Sequence, residues 1–407
     1  GRAQATIRWI SDRKADTTIG VQGKHAGPPQ GKEKPEPMNF EFSDDERMVQ
    51  TAVRELLERR FPLSRVREIL ESGAAYDREL WSVLAEAGWT GAGIAGEHGG
   101  SESGDLVLAL IAEELGRSLA AVPFSSCVYL VAEALKLAGS GEQKARLLPG
   151  IAAGTRIGTL AVSERTGQTG LGGTSTEIRD GKLFGRKMPV IDGSVADFAV
   201  VLAMDAAHGP TLALVDLAGA GVRCETLESF DPTRPLARLT FEGVAAQPLG
   251  LPGRGLEIVL EIFDRAAVLL AFEQLGGAQR CLEMSRDYAL GRYAFGRPVA
   301  SFQAIKHKLA DMYAAIELAR SNCYYGAWAL SSRSKDLPIA ASLARVSATE
   351  AFQLCAREGL QAHGGVGFTW EFDCHLFLRR SALLSLMLGP VGTWKERLVE
   401  HLETEVP

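Results

Sequence analysis

Two short strings in the last third of the chain carry residues suited to binding a phosphate-bearing ligand. The first runs from Arg292 to Gln303, and the second is Gln361-Ala-His-Gly364-Gly365-Val-Gly367-Phe368. A guanidinium presents a planar fork of donors that matches a pyrophosphate. Closely spaced glycines let the backbone approach a ligand and turn N–H groups toward phosphate oxygens. Taken alone, the first string is equally compatible with a helix–helix hairpin that carries a surface arginine.

Helices must position both strings, because long stretches around them repeat apolar residues at i, i+3, i+4 spacing. Phe295-Gly296 and Pro298 must interrupt the helical pattern, since glycine is permissive and proline lacks an N–H. The first string therefore ends one helix and begins the next, and the second follows a later helix. The predicted helices cover 255–291, 300–333, 337–363 and 373–387.

The sequence before these helices divides into three parts. Residues 1–37 contain GPPQGKEKPEP, which can neither form a helix nor bury a core, so we expect a disordered extension. Met38 is then a candidate native start. Residues 38–154 have helical periodicity, with a capping box predicted at Ser43-Asp-Asp-Glu46. Residues 155–250 hold short β-branched runs separated by turns, which predict a small β domain, and 251–407 form the second helical domain.

Composition excludes several classes of protein. The formal net charge is −6, so we expect no general attraction to nucleic acid or to an anionic membrane. No run of 18 apolar residues is present, which argues against a transmembrane helix. The six cysteines are scattered without a C-x-x-C pair, so neither a disulfide framework nor a metal site is expected. Unpaired cysteines are typical of a reducing compartment, so we expect a cytoplasmic location. The lack of a G-x-G-x-x-G motif argues against a nicotinamide-binding domain.

Together, in this order and at this separation, the two strings strongly resemble the flavin-binding signatures of the acyl-CoA dehydrogenase family, over roughly residues 38–400. The resemblance implies an α+β fold with an N-terminal helical domain, a small middle β domain and a C-terminal four-helix bundle. It also implies an FAD whose ADP half contacts residues of a neighbouring subunit. The residues implied at this half are Arg292, Phe295, Gln303, Gln361, Gly364 and Gly365.

The β domain departs from the family pattern. Where the family has Thr-Glu followed by a Gly-Ser-Asp turn, this chain has Ser163-Glu164, which keeps a hydroxyl but not the turn. Where the family has K-x-W-I-T beside the flavin ring, Pro189 replaces the Trp and Ile191 replaces the Thr. Ser163 and Ile191 are the implied flavin contacts here, and the sequence lacks the Trp ring and the Thr hydroxyl that the family has at positions 189 and 191.

The resemblance implies a reaction that needs a carboxylate base to remove the α-proton of a thioester. The two commonest family positions for that base are occupied by Leu388 and Ala266. Glu273 lies seven residues after Ala266, on the same helix face and about 10 Å further along, and is the candidate base. The alternative is that Glu273 pairs with an arginine such as Arg280. Glu371 is expected to form structural hydrogen bonds.

Three functions remain open on this resemblance. The first is an FAD-dependent acyl-CoA dehydrogenase of lipid catabolism, which forms a trans-2-enoyl-CoA and passes electrons to electron-transferring flavoprotein. The second is a subunit without its own base, which completes the FAD site of a homologous partner in an α2β2 heterotetramer. The third is another flavin reaction on the same fold, such as a desulfinase or oxidase. A homotetramer is implied for a self-sufficient enzyme, and the acyl group is not specified.

Overall fold

The computed structural model describes residues 42–165 and 173–405. The predicted extension at 1–37 lies outside the described residues, as do the Thr166-Gly167 end of the Ser163 run and the last two residues. The described chain forms a helical part, a sheet and a second helical part, in that order.

The first part is built from amphipathic helices. The predicted capping box begins the first of them: the Ser43 side chain accepts from the Glu46 N–H, and the Glu46 carboxylate accepts from the Ser43 N–H at 2.7 Å. A π-helix, Ser125–Ala132, runs directly into the fifth helix. The helices are α1 (Asp44–Arg60), α2 (Leu63–Ser72), α3 (Arg78–Glu86), α4 (Asp105–Arg117), α5 (Glu133–Ala138) and α6 (Gly141–Ala152).

The middle part is a mainly antiparallel sheet with strand order β6-β7-β3-β2-β4-β5-β8, in which β1 pairs with β4 in parallel. Its strands are β1 (Gly158–Ala161), β2 (Glu177–Arg179), β3 (Lys182–Ile191), β4 (Phe198–Asp205), β5 (Gly209–Asp216), β6 (Val222–Leu227), β7 (Leu236–Ala245) and β8 (Gln247–Leu249). Along β4, Val200 and Leu202 pack on the helical core, whereas Ala199 and Val201 belong to a second cluster on the opposite face. This alternation buries both faces of the sheet at its centre.

The last part is helical, as the periodicity predicted. Its helices are α7 (Gly255–Gly291), α8 (Gln303–Ser331), α9 (Leu337–Ala362), α10 (Cys374–Leu386) and α11 (Val391–Glu405). A two-stranded hairpin (Tyr293–Ala294 with Arg297–Pro298) and a 3-10 turn separate α7 from α8, so α8 begins at Gln303 rather than at 300. The predicted helices had ended at 387 and omitted α11, which anchors itself through the fully buried Trp394.

Two glycines bring the two helical parts into backbone contact. A Cβ added to Gly116 on α4 would lie 1.8 Å from the Glu273 carbonyl oxygen, and one added to Gly276 on α7 would lie 1.8 Å from the Glu113 carbonyl oxygen. Only glycine permits this approach. The layout confirms the predicted α+β fold class, and none of the described helices is long and apolar enough to cross a membrane.

Candidate functional site

The two sequence strings meet at one end of the C-terminal helices. Tyr288, one turn before the end of α7, stacks on His363 at the end of α9 with ring centroids 4.4 Å apart. Lys308 near the start of α8 forms an ion pair with Glu358 on the last turns of α9. Strings that are about 60 residues apart in sequence therefore share one surface.

The Arg292 string forms an exposed, strained turn. Arg292 caps α7, and its carbonyl oxygen accepts from the Val299 N–H at 2.8 Å, which closes the hairpin. Phe295 is 95% exposed with φ +53°, a conformation that non-glycine residues rarely adopt. Gln303 is exposed at the start of α8, 2.7 Å from the ring of His307. An exposed guanidinium and aromatic ring at the hairpin, and an exposed amide at the start of α8, are available to a ligand or to another chain.

The glycines of the second string have two different roles. A Cβ at Gly364, whose φ is +66°, or at Gly365 would meet nothing within 4 Å, so both face open space beside the exposed Gln361. A Cβ at Gly367 would lie 2.5 Å from the Leu360 carbonyl oxygen. Gly364 and Gly365, the two glycines implied as cofactor contacts, are thus open to a ligand, whereas Gly367 is required for packing.

Ser163 and Ile191 lie together on the β domain. The Met188 N–H on β3 donates to the Ser163 carbonyl oxygen at 2.9 Å, and Ile191 ends the same strand. Thr159 on β1 donates to the Ile191 carbonyl oxygen at 2.6 Å. Both side chains are half-buried. We call the surface of the β domain that carries these two side chains, one hydroxyl and one branched apolar group, the Ser163–Ile191 edge.

Within one chain, this edge and the Arg292 surface are far apart. Asp192, which follows Ile191, lies 4.0 Å from Arg234, and Arg234 lies 3.3 Å from Glu273 in the middle of α7. Arg292 follows Glu273 by 19 positions, which at 1.5 Å per helical residue is roughly 28 Å. The predicted residues therefore form two separate groups, the two half-sites, at different places on the chain.

Glu273 is buried and ion-paired. It is 3% exposed, and its Oε1 lies 3.3 Å from Arg234 Nη1 and 3.7 Å from Arg380 Nη1. The arginine expected as an alternative partner was Arg280, which instead pairs with Glu283 at 3.7 Å. The expectation of an arginine partner was therefore right in kind and wrong in residue.

Glu273 belongs to a buried polar cluster that joins the three parts of the chain. Ser126 of the π-helix donates to Asp192 at 2.6 Å, and Asp192 faces Arg234. Burial raises the pKa of Asp192, and the Arg234 charge opposes that shift. Burial also raises the pKa of Tyr129 well above its ordinary value, and the negative charge of Glu273 adds to it. The cluster leaves little water beside the Glu273 carboxylate.

Sequence reasoning missed the arginines of this cluster. Arg234 lies in a proline-flanked turn of the β domain, and Arg380 lies on α10, where it contacts Asp231 at 2.6 Å. Their carboxylate partners are 39 to 149 residues away in sequence. No local pattern indicates such pairing, because it depends on how the three parts pack.

The two family positions for the base are structural here. Leu388 adopts φ +60°, and its carbonyl oxygen accepts from Trp394 Nε1 at 3.1 Å. Arg345 donates to two carbonyl oxygens at the end of α10 and to Gln274 Oε1 at 2.6 Å, which fastens this turn to α7. Ala266 is 1% exposed in the core. Neither apolar side chain can accept a proton.

Glu371 forms no hydrogen bond or ion pair with any residue in 42–165 or 173–405, so the structural hydrogen bonds expected of it are not found there. The residue is exposed, and the neighbouring Asp373 instead forms the ion pair with Arg67 on α2, at 2.6 Å. Trp370 Nε1 adds a hydrogen bond to Glu71 at 3.2 Å. The turn after the glycines is therefore held by Asp373 and Trp370.

Family models decide the identity. The acyl-CoA dehydrogenase N-terminal domain matches residues 43–155, and the acyl-CoA dehydrogenase C-terminal domain matches 253–402. The chain belongs to the acyl-CoA dehydrogenase family. Members of this family are flavin-dependent oxidoreductases, and family membership therefore identifies this chain as an enzyme of that class.

Individual relatives agree along nearly the whole length. The acyl-CoA dehydrogenase IpdE2 of Mycobacterium tuberculosis is 32% identical over 365 residues, which cover 89% of this chain and 98% of IpdE2. The butyryl-CoA dehydrogenase of Megasphaera elsdenii has a TM-score of 0.84 at 26% identity, covering 90% and 100% of the two chains. A chain from the ChsE4-ChsE5 complex of Mycobacterium tuberculosis has a TM-score of 0.81 at 27% identity, covering 91% and 100%.

The half-sites of this acyl-CoA dehydrogenase fit the two ends of a flavin dinucleotide. The Arg292 surface offers an exposed guanidinium, an exposed ring and two glycines that face open space, which suit a nucleotide with phosphates. The Ser163–Ile191 edge offers a hydroxyl and an apolar side chain, which suit a flat heteroaromatic ring.

Proposed function

We propose that this chain is a subunit of an FAD-dependent acyl-CoA dehydrogenase that introduces an α,β double bond into an acyl-CoA thioester. The product is the trans-2-enoyl-CoA, and electron-transferring flavoprotein takes the electrons. A bound FAD would accept the hydride that leaves the β-carbon. The catalytic carboxylate comes from a second, homologous chain, so that the assembly is of the α2β2 type.

The contacts of Glu273 carry this proposal. A base that removes an α-proton needs a carboxylate oxygen that can reach the substrate. The Glu273 carboxylate is 97% buried and faces two guanidinium groups, within 3.3 Å and 3.7 Å of its Oε1. Moving it would break both of these buried contacts, and Arg234 would keep only Asp192, at 4.0 Å, as its nearest buried carboxylate, which is unfavourable. With Leu388 and Ala266 at the usual positions, a carboxylate from another chain is the simpler source.

The separation of the half-sites supports an assembly of more than one chain. Arg292 lies roughly 28 Å from Glu273 along α7, so one flavin cannot contact both regions of the same copy. The similarity to a chain of the ChsE4-ChsE5 complex supports a partner that is a different but related protein. A homotetramer in which Glu273 acts as the base is the second candidate, because Glu273 lies beside the Ile191 edge through Arg234 and Asp192.

The residues of this chain have separate tasks in the proposed reaction. Arg292, Phe295 and Gln303 bind the ADP half of the FAD of the partner, with Gln361, Gly364 and Gly365 beside them. The Ser163 hydroxyl donates a hydrogen bond to the flavin ring, and Ile191 covers it with apolar surface. The strained Phe295–Gly296 turn keeps the aromatic ring exposed for this contact.

The test compares the chain alone with the chain co-purified with a homologous subunit encoded beside it. FAD content and acyl-CoA-dependent dye reduction are measured for wild type and Glu273→Gln. We expect turnover only in the mixture, with Glu273→Gln retaining most of the activity per bound FAD. Glu283→Gln, on the same helix and paired with Arg117 at 2.5 Å, controls for loss of an ion pair on α7.

Two outcomes oppose the proposal. Turnover by the chain alone that is abolished in Glu273→Gln with FAD retained would assign the base to Glu273. Rapid oxygen consumption without an electron acceptor would indicate an oxidase reaction. The acyl group is tested in the same assay with a panel of straight-chain, dicarboxylic and aromatic thioesters.

A further inference from the structure

A buried lysine lies behind the Ser163–Ile191 edge. Lys187 on β3 is fully buried, and its Nζ donates to the Val162 carbonyl oxygen at 2.9 Å, to Glu164 Oε1 at 2.8 Å and to Thr174 Oγ1 at 2.8 Å. All three hydrogens of the ammonium group therefore have an acceptor. Burial lowers the pKa of Lys187 to about 8, and the adjacent Glu164 carboxylate opposes that shift.

The partner carboxylate is bound from several directions. Glu164 accepts from the N–H groups of Ser175 and Thr176, each at 2.8 Å, and from the hydroxyl groups of Thr174 and Ser175. Burial acts to raise the pKa of Glu164, but the hydrogen bonds from Lys187 and these hydroxyl groups hold it well below its usual range. The ion pair thus remains charged near neutral pH.

These contacts fix Ser163 from both sides. The residue before it, Val162, is bound through its carbonyl oxygen by Lys187, and the residue after it, Glu164, is bound through its carboxylate by the same ammonium group. The Ser163 carbonyl oxygen accepts from the Met188 N–H. Two consecutive residues of β3 therefore determine where the Ser163 backbone lies, whereas the Ser163 side chain is half-buried.

We propose that Lys187 is a positioning residue that orients the Ser163 hydroxyl toward the flavin ring. The proposal rests on the proposed function, in which Ser163 contacts FAD. Lys187 has no exposed surface and does not touch the ligand; it acts by setting the direction from which the hydroxyl donates. Hydrogen bonds weaken steeply when their angle departs from linearity, so a small rotation of this backbone removes the contact.

The test is a double-mutant cycle on the assembled holoenzyme. Ser163→Ala, Lys187→Met and the double variant are compared by FAD dissociation constant, flavin absorption maximum, and kcat and KM for the acyl-CoA. We expect Ser163→Ala to weaken FAD binding by up to about tenfold, the equivalent of one hydrogen bond. Lys187→Met should match that loss and the accompanying spectral shift, and the double variant should be no worse than the more severe single variant.

Two further variants keep the test independent of folding. Lys182→Met changes an exposed lysine at the start of the same strand and should alter none of these quantities. Glu164→Gln keeps the size of the side chain and an acceptor oxygen, so it should fold and give an intermediate loss.

The proposal is overturned if Lys187→Met and Glu164→Gln both leave the flavin spectrum and FAD affinity at wild-type values, or if the Lys187→Met and Ser163→Ala losses add in full. Unchanged FAD binding in Ser163→Ala also overturns it, since nothing would then need positioning. If FAD binding is still lost in Arg292→Ala in that case, the proposed function stands without this inference.

Discussion

Asp264 is a buried carboxyl whose ionisation is coupled to the C-terminal helix. Its Oδ1 lies 2.7 Å from Arg397 Nη2 of α11, and its other charged neighbours are His401 and Glu261. Burial raises the pKa of Asp264 from 3.8 to about 6, and the attraction of Arg397 only partly offsets this. The folded chain therefore binds this proton more tightly than the unfolded chain does.

The first prediction is a pH dependence with a defined sign. Because the folded-state pKa is raised, the stability that Asp264 contributes is fully present below pH 4 and is lost as pH rises through about 6. A shift of about two pKa units corresponds to at most about 3 kcal/mol. The difference in unfolding free energy between wild type and Asp264→Asn, measured by urea denaturation from pH 4 to 7, should fall over that window.

A matched variant checks this assignment. Asp287→Asn, on the same helix at an exposed ion pair with Arg286, should give a small difference that changes little over the same pH window. A flat difference for Asp264→Asn would contradict the raised pKa.

At the scale of elements, α4 and α7 touch through reciprocal glycines. The atoms that a Cβ would meet at Gly116 and Gly276 are backbone carbonyl oxygens at 1.8 Å, which cannot rotate away as a side chain could. One of these carbonyls belongs to Glu273, so the helix contact also determines where the Glu273 backbone lies relative to Arg234. The ion-paired position of Glu273 thus depends on helix packing as well as on charge.

The second prediction follows from this contact. Gly276→Ala should lower the free energy of unfolding by about 1–3 kcal/mol or more, because the helices must separate to admit the methyl group. Gly291→Ala at the end of the same helix meets nothing within 4 Å and should be neutral or stabilising by up to about 1 kcal/mol. Equal stability changes for the two variants in urea titrations would contradict a requirement for glycine at the α4–α7 contact.

Elements with strong periodicity could be predicted from the sequence, and weak ones could not. The four predicted C-terminal helices begin and end within three residues of their predicted limits, because apolar repeats and glycine or proline breaks are local signals. Strand β6 was not predicted, because its six residues VRCETL include few large apolar side chains, and in the structure the strand is mostly exposed. Strand β8 has three residues, too few for a pattern.

The candidate site divides in the same way. The Arg292 and Gln361 strings were found because each is a compact motif, and their approach through Tyr288 and His363 follows from two helices that end together. The pairing of Glu273 with Arg234 and Arg380 could not be found, because residues from the β domain and from α10 converge on α7 only after packing. Lys187 and Glu164 lie in the two β-domain segments that depart from the family pattern, but nothing in either segment indicates that the two side chains form an ion pair.

Across the whole molecule, the two half-sites define what assembly must do. The Ser163–Ile191 edge lies beside the middle of α7, and the Arg292 surface lies at its far end, roughly 28 Å away. In the proposed site, a flavin that contacts both surfaces therefore contacts two chains. Affinity for FAD should therefore follow association between chains rather than the stability of the fold.

The third prediction separates these quantities. The isolated chain should bind FAD weakly, and addition of the homologous subunit should raise the affinity, as measured by flavin fluorescence together with sedimentation. Arg292→Ala should weaken FAD binding to the assembly by about tenfold to a hundredfold, the range for a hydrogen bond to a charged group. Because Arg292 is exposed on a hairpin outside the core, thermal unfolding of the variant should stay near that of wild type.

Arg286→Ala removes an exposed arginine on the same helix that is paired with Asp287, and should leave FAD binding unchanged. Full FAD affinity in the isolated chain would mean that this chain binds the flavin without the homologous subunit. Full FAD affinity in the Arg292→Ala assembly would mean that the Arg292 side chain does not contribute to flavin binding.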